Sequence, residues 1–176
     1  MMKAQRHLVK AAALGAVAGA GGTLAMDLVE FRRYQQGGGT SSFITWETAE
    51  GVDKWGNASA PGQFGKVVIE RLTGHELPDS SARTTTNLVH WATGVGWGAQ
   101  FGLLNGLSPG HRMALGLALG PTAWLSGYVI LPLVKVYKPI WAYDRATLAK
   151  DFGTHVAYGA VTAAGFTALA RRLRKP

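Results

Sequence analysis

No cysteine occurs anywhere in the 176-residue chain. Disulfides, thiolate metal sites, iron–sulfur clusters and covalently attached c-type haem are therefore all excluded. Charge is scarce too, at 16% of residues against about 25% in ordinary soluble domains. The few charges collect in short segments, so a mean hydropathy of only +0.07 averages over long stretches that carry almost none. Nucleic-acid motifs are also lacking. The formal charge of +8 comes from basic residues at the ends of apolar runs, where membrane proteins keep them, and no aromatic–basic pattern interleaves with them. Nucleic acid is not an expected partner; a lipid bilayer is.

What the chain does have is apolar length. A hydrocarbon core of about 30 Å needs roughly 20 mostly apolar helical residues, and four segments qualify: about residues 8–31, 84–107, 113–136 and 152–170. The third, MALGLALGPTAWLSGYVILPLV, carries no charge. Its Pro121 and Pro132 are tolerable where neighbouring helices satisfy the freed carbonyls. Lys3, Arg6 and Lys10 ahead of AAALGAVAGA also have the form of a signal peptide with an A-x-A site. The apolar character runs on through LAMDLV, which favours a retained span.

A polar stretch, residues 32–83, separates the first two spans. It opens on QQGGGTSS. Ser42 is an expected N-cap for a short helix with Phe43, Trp46 and Trp55 on one side. Pro61 marks a second helix start, with Phe64, Val67, Val68 and Leu72 at helical spacing. Two arrangements fit: interfacial helices along the membrane surface, or an extramembrane cap on the bundle. Lys and Arg counts, with the long loop discounted, favour both termini in the cytoplasm. Lys3, Arg6, Lys10, Arg112, Arg171, Arg172, Arg174 and Lys175 stand on that side against Lys135, Lys138, Arg145 and Lys150 on the other.

Glycine recurs every fourth position within the spans. Gly94, Gly98 and Gly102 form one series, Gly15 and Gly19 another, Gly116 and Gly120 a third, and Gly159 follows His155. Lipid tails are as apolar as leucine, so membrane helices associate by close backbone approach at such small residues. Steps of four drift about 40° each at 3.6 residues per turn, so each ridge holds one face for only a couple of steps. The expected fold is all-α, a polytopic membrane protein in which a four-helix transmembrane bundle carries a mostly helical extramembrane loop, as a single membrane domain.

The stretch at residues 87–104 returns 65 positions later. His90/His155, Ala92/Ala157, Gly94/Gly159, Ala99/Ala164, Phe101/Phe166 and Leu104/Leu169 recur in register, a weak internal duplication. With alternating span direction, Asp27, His90 and His155 are expected at one depth. Intramembrane ionisable groups are costly enough to count as functional candidates. Three readings compete: b-type haem ligated by His90 and His155; a divalent metal or proton relay on Asp27, His90 and His155; or hydrogen bonds that hold the bundle together. The duplication leans toward the last, with no cofactor bound.

Catalytic motifs fail. GHEL at residues 74–77 lacks the second histidine of a zincin helix. GAGGT has no lysine after the glycines for a P-loop and no preceding strand for a dinucleotide turn. Ser126 lacks G-x-S-x-G context. The expected function is accordingly a membrane component without catalytic machinery, an accessory subunit or a homo-oligomer presenting glycine faces to other membrane-protein subunits. An oligomeric transporter of small solutes or lipids is a further alternative.

YVILPL at residues 128–133, KPIWAYD at 138–144, DFGTHVAYG at 151–159 and RRLRK at 171–175 follow one another. This order resembles the YagU-like family of small bacterial inner-membrane proteins. There, too, an apolar span ending near proline leads through a Pro/aromatic connection to a His-bearing last span and a basic tail. GTLAMD at residues 22–27 has the same character, whereas the loop at 32–83 departs. The resemblance implies an inner-membrane location and this topology, and implies no reaction.

Overall fold

The computed structural model describes residues 2–172; Arg174 and Lys175 of the basic tail lie outside the described residues. All regular structure among them is helical: α1 (Met2–Gln36), α2 (Phe43–Glu47), α3 (Ala60–Thr73), α4 (Ala82–Leu107), α5 (Arg112–Leu133) and α6 (Arg145–Arg172), with a single 3-10 turn in each connection after α2. The all-α expectation holds. By length and apolar composition two helices are able to cross a membrane, the first over Lys3–Gln36 and α5. The other two expected spans fall within α4 and α6, whose 26 and 28 residues suffice in length but are interrupted by Thr, Asn, His and Gly.

Helix ends follow local chemistry. The triple glycine at 37–39 stops α1: Gly38 takes φ +91°, and the Gly37 and Gly39 amides donate to the Arg33 and Tyr34 carbonyls at 2.9 Å. Ser42 caps α2, its hydroxyl accepting from the Thr45 amide. Pro61 lies in the first turn of α3, where its missing N–H has no intrahelical acceptor to lose. Gly74 at φ +71° ends that helix. α5 stops at Leu133, three residues short of the Val136 expected from hydropathy, because Lys135 adopts a left-handed φ of 61° that a right-handed helix cannot continue.

The chain divides into two compact units. One comprises Met1–Val29, Thr93–Leu125 and Arg145–Pro176, the other Glu30–Ala92 and Ser126–Asp144.

In the first unit four helical segments meet at their small residues. A methyl group on Gly98 would come within 2.6 Å of the Gly19 Cα, and one on Gly15 within 2.8 Å of the Gly102 Cα. Gly94 faces Thr23. On the far pair, Gly159 would carry its methyl to 3.0 Å from the Gly120 Cα, Gly120 abuts the His155–Val156 backbone, and Gly116 faces Ala163. The apolar core is small: Ala18, Phe101, Leu119, Tyr158 and Phe166, with Phe101 and Phe166 edge to face at 5.5 Å. Thr23, Asp27, Asn105, Thr154 and Thr162 are buried alongside. Several of these, and the half-buried Thr167, bond within their own helix. The Thr23 hydroxyl donates to the Gly19 carbonyl (3.0 Å), Thr154 to Lys150 (2.9 Å), Thr167 to Ala163 (2.8 Å), and the Asn105 amide to Phe101 (2.8 Å). Many large aliphatic side chains lie outside instead. Val17, Leu24, Leu28, Leu103, Leu104, Leu117, Leu125, Val156 and Val161 are exposed.

The second unit is packed with rings and side-chain hydrogen bonds. Trp55 is its hub, 6% exposed. Its indole N–H donates to the Leu77 carbonyl (3.0 Å), its backbone N–H donates to Asp79 (3.1 Å), and the Gln63 amide donates to its carbonyl. The sequence grouped Trp55 with the short helix of Phe43 and Trp46. It instead occupies a 3-10 turn of its own, since its polar edge is satisfied only by the chain near Leu77. Phe43 and Trp46 pack on Phe31 at 5.2 and 5.6 Å. α3 lies on α4 through Gly65, which faces Thr85 and Val89.

Candidate functional site

His90 lies on α4, half-buried, its ring edge-on to Trp91 at 6.4 Å. α2 brings a partner that the sequence did not single out. The Thr48 carbonyl, just past the end of α2, accepts from Arg83 Nε and Asn87 Nδ2, each at 2.9 Å. Those two bonds dock the short helix along α4 and carry Glu47 inward. Trp91 Nε1 then donates to Glu47 Oε1 at 2.9 Å, and a Glu47 carboxylate oxygen and a His90 ring nitrogen lie within 4.8 Å of one another. A single water spans such a gap.

Chemically the pair is a carboxylate aimed by an indole N–H toward an imidazole. A carboxylate and an imidazole are the group types used in general acid–base chemistry and in cation ligation. Two protein ligands supply only part of a divalent shell, the rest falling to water or further groups. Glu47 escaped the sequence reading because its relevance depends on the docking of α2 along α4. The available signal was the Ser42 cap, which fixes the start of α2 and therefore which way its carboxylate points.

The other expected site residues belong to the first unit. Asp27 is buried on α1, at 4% exposure. His155 is half-buried on α6. Its Nδ1 lies 2.9 Å from the Asp151 carbonyl and 3.4 Å from the Asp151 carboxylate, so the ring is oriented by its own preceding turn with Nε2 directed away. His90 belongs to the second unit and His155 to the first. One turn along, the Tyr158 hydroxyl donates to the Gly94 carbonyl at 2.6 Å. That bond joins α6 to α4 within the first unit at the residues that follow each histidine in the internal repeat. The bond of Tyr158 to α4 was not visible in the sequence.

No protein-family model, curated protein or solved structure matches the chain.

Proposed function

We propose that the chain is an integral protein of the bacterial inner membrane, spanning it with α1, α4, α5 and α6, and that it serves as a non-catalytic component binding other membrane subunits or further copies of itself. The observation that carries this reading is an inverted distribution of side-chain size. Buried positions of the glycine-packed unit are mostly Gly, Ala, Thr, Asn and Asp, with Leu119 and a few rings, while many Leu, Val and Phe side chains from all four helical segments are exposed. In water, exposed apolar surface on that scale drives aggregation. In hydrocarbon it costs nothing, and close packing at small residues becomes the source of helix association. The resemblance of residues 128–175 to the YagU-like family supports the inner-membrane location.

Membrane fractions washed with alkaline carbonate should retain the protein, and detergent should release it. Recovery in the aqueous wash would overturn the reading. The lack of native cysteine makes topology directly testable with introduced thiols. A membrane-impermeant maleimide applied to spheroplasts should label Gly51→Cys and leave Gln5→Cys unlabelled. The reverse pattern refutes cytoplasmic termini.

A second reading, favoured by the approach of Glu47 to His90, is that this pair relays protons or contributes to a cation site. In proteoliposomes, His90→Gln and Glu47→Gln should each abolish proton uptake or bound divalent metal while helical content stays unchanged. Unchanged flux and metal content in both variants rule it out.

A further inference from the structure

We propose that the connection between α5 and α6 is a preformed binding surface for anionic phospholipid headgroups, an inference that rests on the membrane reading above. α5 ends in exposed apolar residues: Val129, Ile130 and Leu133 face outward, Leu133 at 77%. Two residues later the left-handed Lys135 turns the chain off the helix axis. Lys135, Lys138, Pro139 and Trp141 then follow within seven residues, all exposed, Trp141 to 84%. Apolar helix end, lysine, lysine and outward indole is the order of chemistries met on leaving hydrocarbon for water. An indole has an apolar body and a single N–H donor, which suits it to the headgroup level.

The segment is not a loose loop that happens to carry a tryptophan. Tyr128, Tyr137 and Tyr143 form a closed ring cluster beneath it, with centroids 5.4, 5.4 and 6.0 Å apart. The Lys138 amide donates to the Tyr143 hydroxyl (3.2 Å), the Ala142 amide to the Pro139 carbonyl (2.8 Å), and the Val136 amide back to Leu131 (2.9 Å). Trp141 is thus carried on a short 3-10 turn, Ile140–Ala142, pinned on both sides. Preorganisation of this kind removes most of the ordering cost of binding.

The charge is complementary. Asp144 is the one acidic residue between Leu133 and Arg145, against Lys135 and Lys138. A basic residue near an anionic leaflet contributes about 1 kcal/mol, roughly fivefold in affinity. The proposal also accounts for a feature that orientation rules leave unexplained. This connection falls on the side expected to be poor in Lys and Arg, yet it retains both lysines.

The test uses the full-length protein in nanodiscs of phosphatidylcholine, alone or mixed with phosphatidylglycerol. Tryptophan emission is quenched by lipids brominated near the glycerol end of the acyl chain, and the difference between the native protein and Trp141→Phe isolates Trp141. Spin-labelled lipids report the preference for phosphatidylglycerol over phosphatidylcholine at the protein surface. The expected results are a quenched component that disappears in Trp141→Phe, and a preference that falls about fivefold for each lysine in Lys135→Gln and Lys138→Gln. Every substitution is at an exposed position, and circular dichroism verifies that helix content is kept. Quenching unaltered by Trp141→Phe, or a preference unaltered by removing both lysines, overturns the proposal and leaves the membrane reading standing. Failure of the native protein to enter the discs, with solubility in detergent-free buffer, overturns both.

Discussion

Where Gly15 and Gly19 meet Gly98 and Gly102, helices touch backbone to backbone and no side chain intervenes. Around Trp55 the opposite holds: the chain is kept apart by an indole, and three hydrogen bonds and a lysine over the ring fix the spacing. Dispersion between close backbones adds many tiny contacts and tolerates no added atom. A buried ring contributes area and a polar edge, which requires a matching acceptor. The first scheme needs no water to drive it; the second gains from burying an aromatic surface away from water. The contrast is one of packing chemistry, close backbones in the first unit and a ring with matched acceptors in the second.

The largest expected effect falls on the ring-packed side. Trp55→Ala should cost that unit about 4 kcal/mol, within the usual range for Trp→Ala in a core. It should also expose residues 43–81 to limited proteolysis while leaving the glycine-packed helices resistant. Equal proteolysis of both units would erase the distinction. Next is Gly98→Leu, which forces a side chain into the α1 backbone and should cost about 3 kcal/mol, the upper part of the overpacking range, read by denaturant titration in mixed micelles. Its control is Gly21→Leu, at a position with open space beyond the glycine; that change should stay within about 0.5 kcal/mol. Comparable losses for the two glycines would mean that helix propensity and not close approach decides.

Smaller effects sharpen the picture. Tyr158→Phe deletes the donor to the Gly94 carbonyl and should cost about 1 kcal/mol, visible in the same titration. Ser42→Ala removes the cap of α2 and should cost about 0.5 kcal/mol, the low end for such a cap. Its fingerprint is local, with faster amide exchange at Thr45 and little change in global unfolding.

Hydropathy made α1 and α5 legible, because long apolar runs leave few alternatives; α4 and α6, interrupted by Thr, Asn, His and Gly, were legible as long helices more than as apolar runs. Local chemistry made the Ser42 cap and the Pro61 start legible, since a cap acts within three residues of itself. Partnerships were another matter. A spacing of four tells which face of α1 is thin and nothing about α4 being the neighbour that meets it. Trp55 was assigned to the wrong helix because its acceptors, Leu77 and Asp79, lie more than twenty positions away. Glu47 reads as an ordinary carboxylate of a short helix until α2 is docked by Arg83 and Asn87. Lys135 ends α5 early through a backbone conformation that its side chain does not announce.

The hydroxyls of Thr23, Thr154 and Thr167 are each spent on a carbonyl four residues back in their own helix. These three hydroxyls are satisfied within their own helices, whereas the Tyr158 hydroxyl finds its acceptor on α4. In a bilayer, each helix could then be released from the insertion machinery alone and drift laterally before finding its neighbours. Assembly would become a late, reversible step, separable from insertion and open to exchange between newly made and resident chains.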